Sequence, residues 1–225
     1  MCRLESFLYC VLKSKTMSMN RDGQNTARII GISRHRLTTD GEGVTTLVAF
    51  NGCPLRCKYC LNKQSWNDSF GRVYTPELLF EETKIDQLYF LATHGGVTFG
   101  GGEPLLQVEF IKAFRELCGR QWQIVAETSL NVPFGNLQTL DPLLDGYIVD
   151  IKDMNPKIYQ AYTGLDNSLV ISNLEWILKS GDPTRVIVRV PHIPDFNTDE
   201  DVELSKKRLE QMGVRHIDEF QYLIR

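Results

Sequence analysis

Residues 45–60 read TTLVAFNGCPLRCKYC and join a short apolar run to three closely spaced cysteines. The β-branched and apolar residues 45–50 are typical of a buried strand. The loop that follows carries Cys53, Cys57 and Cys60, so three thiols lie just beyond the carboxyl end of the first predicted strand. In folds built from successive βα units, ligands bind at this end of the sheet. The cysteine loop is therefore the first candidate for a functional site.

The rest of the chain alternates between strand-like and helix-like patterns, which is typical of βα units around a parallel sheet. Six strands are predicted, at residues 45–50, 96–99, 124–128, 147–151, 185–191 and 216–223. Helices are predicted at residues 75–93, 105–118, 137–144, 156–162, 172–180 and 198–212. Because six units are fewer than the eight of a closed TIM barrel, we expect an α/β fold with an open, partial (β/α)6 TIM-like barrel. A doubly wound open sheet is the alternative.

Composition limits the classes of function. The chain has 225 residues, 42% of them hydrophobic, and a net charge of −3, so no basic excess is present to hold nucleic-acid phosphates. The longest apolar run, residues 7–12, is far shorter than the roughly 20 residues of a membrane helix, and no signal cleavage site follows it. We expect a cytoplasmic protein with no nucleic-acid or membrane partner, consisting of an N-terminal extension (residues 1–26) and one domain (residues 27–225).

The three clustered thiols indicate a metal site, because disulfides require a secretory context and even pairing. Soft thiolates select zinc, copper(I) or iron–sulfur clusters. A 4Fe-4S cluster normally takes four thiolates, but Cys118 lies on an apolar helical face where a cysteine usually packs in the core. One iron would then be open to substrate. The alternative is a zinc site of three cysteines and a histidine, although no histidine lies between His35 and His94.

A second motif, VTFGGGEP at residues 97–104, ends the second predicted strand and precedes a helix. Its three glycines allow the backbone to approach a ligand closely, and Glu103 adds a carboxylate for an ammonium or hydroxyl group. An ordinary glycine turn is the alternative for an isolated run of this kind. We favour a ligand site because the motif follows the strand next to the cysteine loop.

Polar and charged residues end the later predicted strands. Period-2 alternation places Asp150 and Lys152 on one face at the end of the fourth strand, while Arg189 ends the fifth and Glu127 and Thr128 end the third. Charged side chains are almost never buried unpaired, so they need one another or a polar ligand. A mutual salt bridge is the alternative for each of them.

Together these motifs resemble those of radical S-adenosylmethionine (radical SAM) enzymes of the glycyl-radical-enzyme activating type. The resemblance spans roughly residues 29–222 and includes TDGEG at residues 39–43 and the segment at residues 191–196. A cysteine triad at this spacing is typical of the superfamily. The Asp-Gly stretch before the first predicted strand and the strand-end Asp-x-Lys narrow the resemblance to activating enzymes.

The resemblance implies that Cys53, Cys57 and Cys60 hold a 4Fe-4S cluster and that S-adenosylmethionine (SAM) chelates the open iron. An electron from a flavodoxin or ferredoxin-type donor would cleave SAM to methionine and a 5′-deoxyadenosyl radical. That radical would remove hydrogen from a glycine Cα of a partner glycyl radical enzyme. The resemblance therefore implies an oxidoreductase that works under anaerobic conditions.

The resemblance also assigns residues to SAM. It places Gly101, Gly102 and Glu103 at the amino group, Asp150, Lys152 and Arg189 at the ribose or carboxylate, and Tyr59 and Asn62 near the adenine. The full implied set is Tyr59, Asn62, Gly101, Gly102, Glu103, Glu127, Thr128, Asp150, Lys152 and Arg189.

The chain departs from the family pattern at a few positions. Leu61 stands where histidine is frequent and Glu127 where aspartate is frequent, and the chain ends before a Pro-Tyr-His segment. We expect a shortened subclass with a wide-open barrel, or a truncated sequence, and no auxiliary cluster. Two other functions stay open: a radical SAM enzyme for a small molecule, of the carboxy-deazaguanine synthase type, and a non-catalytic metal-binding relative.

Overall fold

The computed structural model describes residues 25–37 and 39–222, so most of the predicted extension at residues 1–26 lies outside the described residues. The described strands are β1 (Ala27–Leu37), β2 (Val44–Phe50), β3 (Arg72–Tyr74), β4 (Gly96–Gly101), β5 (Gln123–Thr128), β6 (Gly146–Asp150), β7 (Val186–His192) and β8 (His216–Gln221). The described α-helices are α1 (Pro76–Thr83), α2 (Gln87–Thr93), α3 (Val108–Cys118), α4 (Phe134–Leu140), α5 (Pro156–Thr163), α6 (Ser168–Ser180) and α7 (Asp199–Gln211).

One sheet contains all eight of these strands, in the order β3-β1-β2-β4-β5-β6-β7-β8. Six of these strands, β2 and β4 to β8, pair in parallel. Helices connect successive parallel strands, which is the βα arrangement that the alternating pattern predicts. Strands β3 and β8 form the two edges and do not pair with each other, so the sheet stays open. The expected partial six-unit barrel is confirmed.

Two antiparallel strands were not predicted. Strand β1 pairs with β2 on one side and with the three-residue β3 on the other. Its pairing with β2 shifts register between Ile29 and Gly31 and again between Ser33 and Arg36. These irregularities interrupt the period-2 alternation, since each one-residue shift moves side chains to the other face. A pattern search therefore has little signal for β1.

The helix predicted at residues 75–93 is two helices separated by a 3-10 turn, Lys84–Asp86. Asp86 is fully buried at this turn, and its carboxylate accepts hydrogen bonds from Arg34 and from Thr46 Oγ1 at 3.2 Å. His35 Nε2 lies 2.9 Å from the same carboxylate. The break therefore places one acidic group where it binds side chains of both β1 and β2.

Alternation along the parallel strands separates the core from the concave face of the sheet. On β5, Ile124 and Ala126 are fully buried and belong to the same apolar core as Phe110 and Phe114 of α3. The residues between them point to the opposite, concave face. Polar residues at alternate positions near the strand ends therefore face the concave side of the sheet. In the described part of the chain, no helix combines the length and the apolar character needed to cross a membrane.

A buried guanidinium joins the amino ends of two central strands. Arg115 on α3 is 4% exposed and donates hydrogen bonds to the carbonyl oxygens of Leu143, Gly119 and Trp122 at 2.8 to 2.9 Å. It also pairs with Asp145, which directly precedes β6. The same carboxylate accepts a hydrogen bond from the N–H group of Ile124, the second residue of β5, so one cation orders the turns that enter both strands.

We expect Arg115→Met to lower the free energy of unfolding by about 3–5 kcal/mol, because it removes a buried cationic donor from Asp145 and from three carbonyl groups. Urea titration followed by circular dichroism measures this loss. Arg120→Met is the matched control, since Arg120 lies 3.8 Å from the same carboxylate but its side chain is 62% exposed. The control should cost no more than about 1 kcal/mol. Equal losses in the two variants would contradict the role given to Arg115.

Candidate active site

The cysteine loop is fixed to the end of a helix through its backbone. The N–H groups of Arg56 and Lys58 donate to the carbonyl oxygens of Thr163 and Tyr162, at 2.9 and 3.1 Å. Both carbonyls lie in the last turn of α5, where a helix leaves its carbonyl groups without internal partners. The loop satisfies these groups and is held above the carboxyl ends of the parallel strands.

The three clustered cysteines are free thiols and partly exposed. Burial, followed by the negative charge of Glu103, raises the pKa of Cys53 to about 12. Burial also raises the pKa of Cys57, while the nearby Lys152 ammonium opposes the shift. Thiols of this kind stay protonated until a bound metal displaces the proton.

The chemistry of the donor set fits an iron–sulfur cluster, because thiolates are soft ligands. Across residues 25–37 and 39–222, no three His, Cys, Asp or Glu side chains form a group that could hold one metal ion. A zinc ion needs its ligands around one point. In a 4Fe-4S cluster each thiolate binds a different iron, so the three sulfur atoms need not converge. Three accessible thiols on one loop meet that requirement.

The glycine motif packs against the base of the cysteine loop. Glu103 N–H donates to Gly52 O at 2.7 Å, and a Cβ added to Gly102 would overlap that same carbonyl group. Gly101 has a φ of +89°, and a Cβ there would collide with Ala49 of β2. We predicted close approach of these glycines to a ligand. In the structure, glycine is required at positions 101 and 102 because the backbone there lies directly against Ala49 of β2 and Gly52 just after it.

The carboxylate of Glu103 lies beneath this junction and is 1% exposed. It accepts hydrogen bonds from Thr128 Oγ1 at 2.6 Å, Ser129 Oγ at 2.7 Å, Ser129 N–H at 2.9 Å and Leu105 N–H at 3.2 Å. Burial raises its pKa despite these four donors. Asn62 adds a hydrogen bond from the cysteine loop to Gly101 O, at 3.1 Å. The ends of β4 and β5 and the cysteine loop thus form one connected unit.

The predicted charged residues lie together at the carboxyl ends of β5, β6 and β7, which form the rim of the site. They are paired with one another. Lys152 Nζ donates to Asp150 at 2.8 Å and to Tyr222 Oη at 3.1 Å. Burial works against the Lys152 ammonium, but Asp150 raises the pKa of Lys152 well above its usual value. Arg189 donates to Glu127 at 3.0 Å. Burial and the neighbouring Asp150 carboxylate raise the pKa of Glu127 to about 7. The mutual salt bridges that the sequence analysis gave as the alternative are therefore present in the structure.

The TDGEG segment lies across the concave face below this rim. The Asp40 carboxylate is buried and pairs with Arg36, while the carbonyl oxygen of Thr39 accepts a hydrogen bond from Arg189. Beside this segment lies a cavity of about 570 Å³ near the amino ends of β5, β6 and β7. It extends along the concave face up to Arg189, so its main part lies at the opposite end of the strands from the cysteines.

Sequence reasoning missed the partner of Tyr59. Its hydroxyl donates to Asp195 Oδ2 at 2.9 Å, across 136 residues of sequence. Its ring lies 5.8 Å from that of Phe196 and 6.1 Å from that of Tyr162, between ring centroids. The segment at residues 191–196 is part of the resemblance, but no local pattern in the sequence pairs it with the cysteine loop.

Comparison with known proteins identifies the family. The model of the radical SAM superfamily matches residues 47–208. The pyruvate formate-lyase-activating enzyme of Clostridium pasteurianum is 38% identical over 125 residues, covering 56% of this chain and 52% of that protein. The pyruvate formate-lyase-activating enzyme of Listeria monocytogenes is 31% identical over 176 residues, covering 75% of this chain and 70% of that protein. The chain thus spans about half the length of the first of these relatives and about two thirds of the second.

Among solved structures, native anSMEcpe with bound AdoMet matches with a TM-score of 0.60 at 19% identity, covering 77% of this chain and 49% of that chain. This likeness supports the fold. The family match covers the cysteine loop, the glycine motif and the rim in one continuous stretch. The chain therefore belongs to the radical SAM superfamily, whose enzymes use a 4Fe-4S cluster and S-adenosylmethionine.

Proposed function

We propose that this chain is an activating enzyme that generates a glycyl radical on a partner glycyl radical enzyme. The observation that carries the proposal is the cysteine loop, in which Cys53, Cys57 and Cys60 lie as free thiols on one loop at the carboxyl ends of an open parallel sheet. The relatives named above are activating enzymes, which supports the same reaction here. Free thiols also suit a reducing cytoplasm.

We assign a 4Fe-4S cluster to these three thiolates, which would hold it beside SAM. When bound, the two cofactors would supply the radical chemistry that removes a hydrogen atom from a glycine Cα, with an electron from a flavodoxin or ferredoxin-type donor. The protein positions the reactants and keeps water away. Lys152 places a positive charge close to Cys57. This charge favours the anionic state, in which thiolates hold a cluster, over the protonated thiols.

The rim residues fit the polar parts of SAM. Lys152 and Arg189 offer donors for a carboxylate, while Asp150 and Glu127 offer acceptors for an ammonium or ribose hydroxyl group. The aromatic ring of Tyr59 and the amide of Asn62 suit the adenine. We assign to SAM the residues Tyr59, Asn62, Gly101, Gly102, Glu103, Glu127, Thr128, Asp150, Lys152 and Arg189, and we place them in one radical SAM domain at residues 27–225.

A protein substrate is favoured by the open sheet. Because β3 and β8 are not joined, the concave face is not enclosed by strands, and a polypeptide loop can reach the rim. A small substrate normally binds in a site that buries most of its surface. A radical SAM enzyme for a small molecule is the second candidate, and the cavity beside the TDGEG segment is the observation that favours it.

We expect Cys57→Ala to abolish cluster assembly and SAM cleavage, because two thiolates on the loop cannot replace three. Anaerobic reconstitution, iron and sulfide analysis and 5′-deoxyadenosine release measure both properties. Cys118→Ala is the matched control, since Cys118 is buried at the end of α3 outside the loop. Cluster content should be normal in the control. Zinc without sulfide in the wild type would instead indicate a non-catalytic metal-binding relative.

We expect Gly102→Ala to lower the rate of SAM cleavage on the order of 100-fold, because the new Cβ pushes the glycine motif away from Gly52 and misplaces the junction. The rate of 5′-deoxyadenosine formation with dithionite tests this. Gly135→Ala on α4 is the control, since a Cβ there meets no neighbouring atom. It should leave the rate unchanged. If both variants cleave SAM like the wild type, the junction has no part in the reaction.

Activity on a glycyl radical enzyme separates the two substrate classes. With a glycyl radical enzyme as substrate, the reduced protein and SAM should yield one protein-bound glycine radical per site, detected by electron paramagnetic resonance (EPR). Replacing the target glycine of the partner by alanine should remove the signal. A small molecule that supports saturable multiple turnovers, in place of a protein, would support the second candidate and contradict the first.

A further inference from the structure

The loop between β7 and α7 holds an unusual backbone conformation at Asp195. Its φ is +67°, in the left-handed region that glycine adopts without cost and other residues rarely adopt. Aspartate tolerates this region better than most residues do, but it gains nothing there over glycine from the backbone alone. A residue other than glycine in such a conformation raises the question of what its side chain contacts.

The contact that Asp195 makes reaches the cysteine motif. Its Oδ2 accepts the hydrogen bond from Tyr59, at 2.9 Å, and Tyr59 lies between Cys57 and Cys60. The acceptor is a carboxylate, which forms stronger hydrogen bonds than a neutral group. Phe196, the next residue, packs edge-on against the same tyrosine ring. Two consecutive residues of this loop therefore hold Tyr59.

The cysteine loop has few other anchors in its second half. The N–H groups of Arg56 and Lys58 bind α5, but the N–H group of Cys60 binds only Cys57 O within the loop itself, at 3.1 Å. Farther along, the side-chain amide of Asn62 binds Gly101 O at 3.1 Å. Between Lys58 and Asn62, the contacts of Tyr59 with Asp195 and Phe196 are therefore the ones that hold the loop beside Cys60. Since Asp195 accepts the hydrogen bond of Tyr59, one side-chain hydrogen bond connects the cysteine loop to the loop between β7 and α7.

We propose that Asp195 is a positioning residue that sets the orientation of the cysteine loop through its hydrogen bond to Tyr59. The inference rests on the proposed function, because only a cluster and SAM on this loop make its orientation matter for a reaction. Asp195 acts through Tyr59 and not on the reacting atoms. The chemistry that it serves is the placement of the third thiolate and of the aromatic ring next to it.

Asp195→Gly separates this role from a purely structural one, because glycine relieves the backbone strain while it removes the carboxylate. Asp195→Asn keeps an acceptor and tolerates the same φ. His94→Gly is the matched control: His94 has a φ of +55° just after α2, two residues before β4, and therefore lies at the opposite end of the strands. The unfolding temperature should stay the same or rise in both glycine variants.

The first readout is hydrogen exchange in the metal-free protein, followed by mass spectrometry on peptides that cover residues 53–62. We expect exchange about tenfold faster in Asp195→Gly and in Tyr59→Phe, since tenfold corresponds to the loss of one hydrogen bond. His94→Gly should resemble the wild type, and Asp195→Asn, which keeps a neutral acceptor, should lie between the wild type and Asp195→Gly. Unchanged exchange in Asp195→Gly would overturn the proposal, whatever the activity of the protein.

The second readout is the reconstituted protein. Asp195→Gly should raise the KM for SAM about tenfold and alter the EPR spectrum that the reduced cluster shows with SAM, at unchanged iron content. Because Asp195 acts through Tyr59, the double variant with Tyr59→Phe should be no worse than Tyr59→Phe alone. Additive losses would overturn the proposal. If the wild type binds a cluster but cleaves no SAM, the proposed function fails while the exchange result still decides the role of Asp195.

Discussion

The site depends on the hydrogen bonds that gather three strand ends around the buried carboxylate of Glu103. This carboxylate accepts four hydrogen bonds from the region that follows β5 and from the turn after itself, while the Glu103 N–H binds the carbonyl group of Gly52. A buried carboxylate is costly unless it is fully hydrogen-bonded. The cost is offset only when all these segments are in place, so the cysteine loop cannot move independently of β4 and β5.

The electrostatics of the rim follow from the same geometry. Parallel strands bring their carboxyl ends to one edge, so Glu127, Asp150, Lys152 and Arg189 meet although they are far apart in sequence. Each charge has a partner of opposite sign in the protein chain itself. A polar ligand can exchange with the Glu127–Arg189 pair because its side chains are only partly buried and the sheet is open beside it.

The six parallel strands were predictable because each is a compact apolar run between helix-like stretches, and the structure confirms all six within a few residues. The family and its cofactors were predictable from the spacing of the cysteines and the glycine motif. The antiparallel β1 was not, since its bulges break the alternation, and neither was the helix break at Asp86, whose partners lie on other strands. The individual SAM contacts stay predictions.

By itself, the sequence determined which thiols can bind metal and which strand ends carry charge, because these are local properties of residue type and period. The tertiary structure decided how the pieces are held. The overlap that forbids a side chain at Gly102, and the carboxylate of Asp195 on the hydroxyl of Tyr59, both join segments distant in sequence. Such contacts leave no local pattern, because their partners become neighbours only after the sheet has formed.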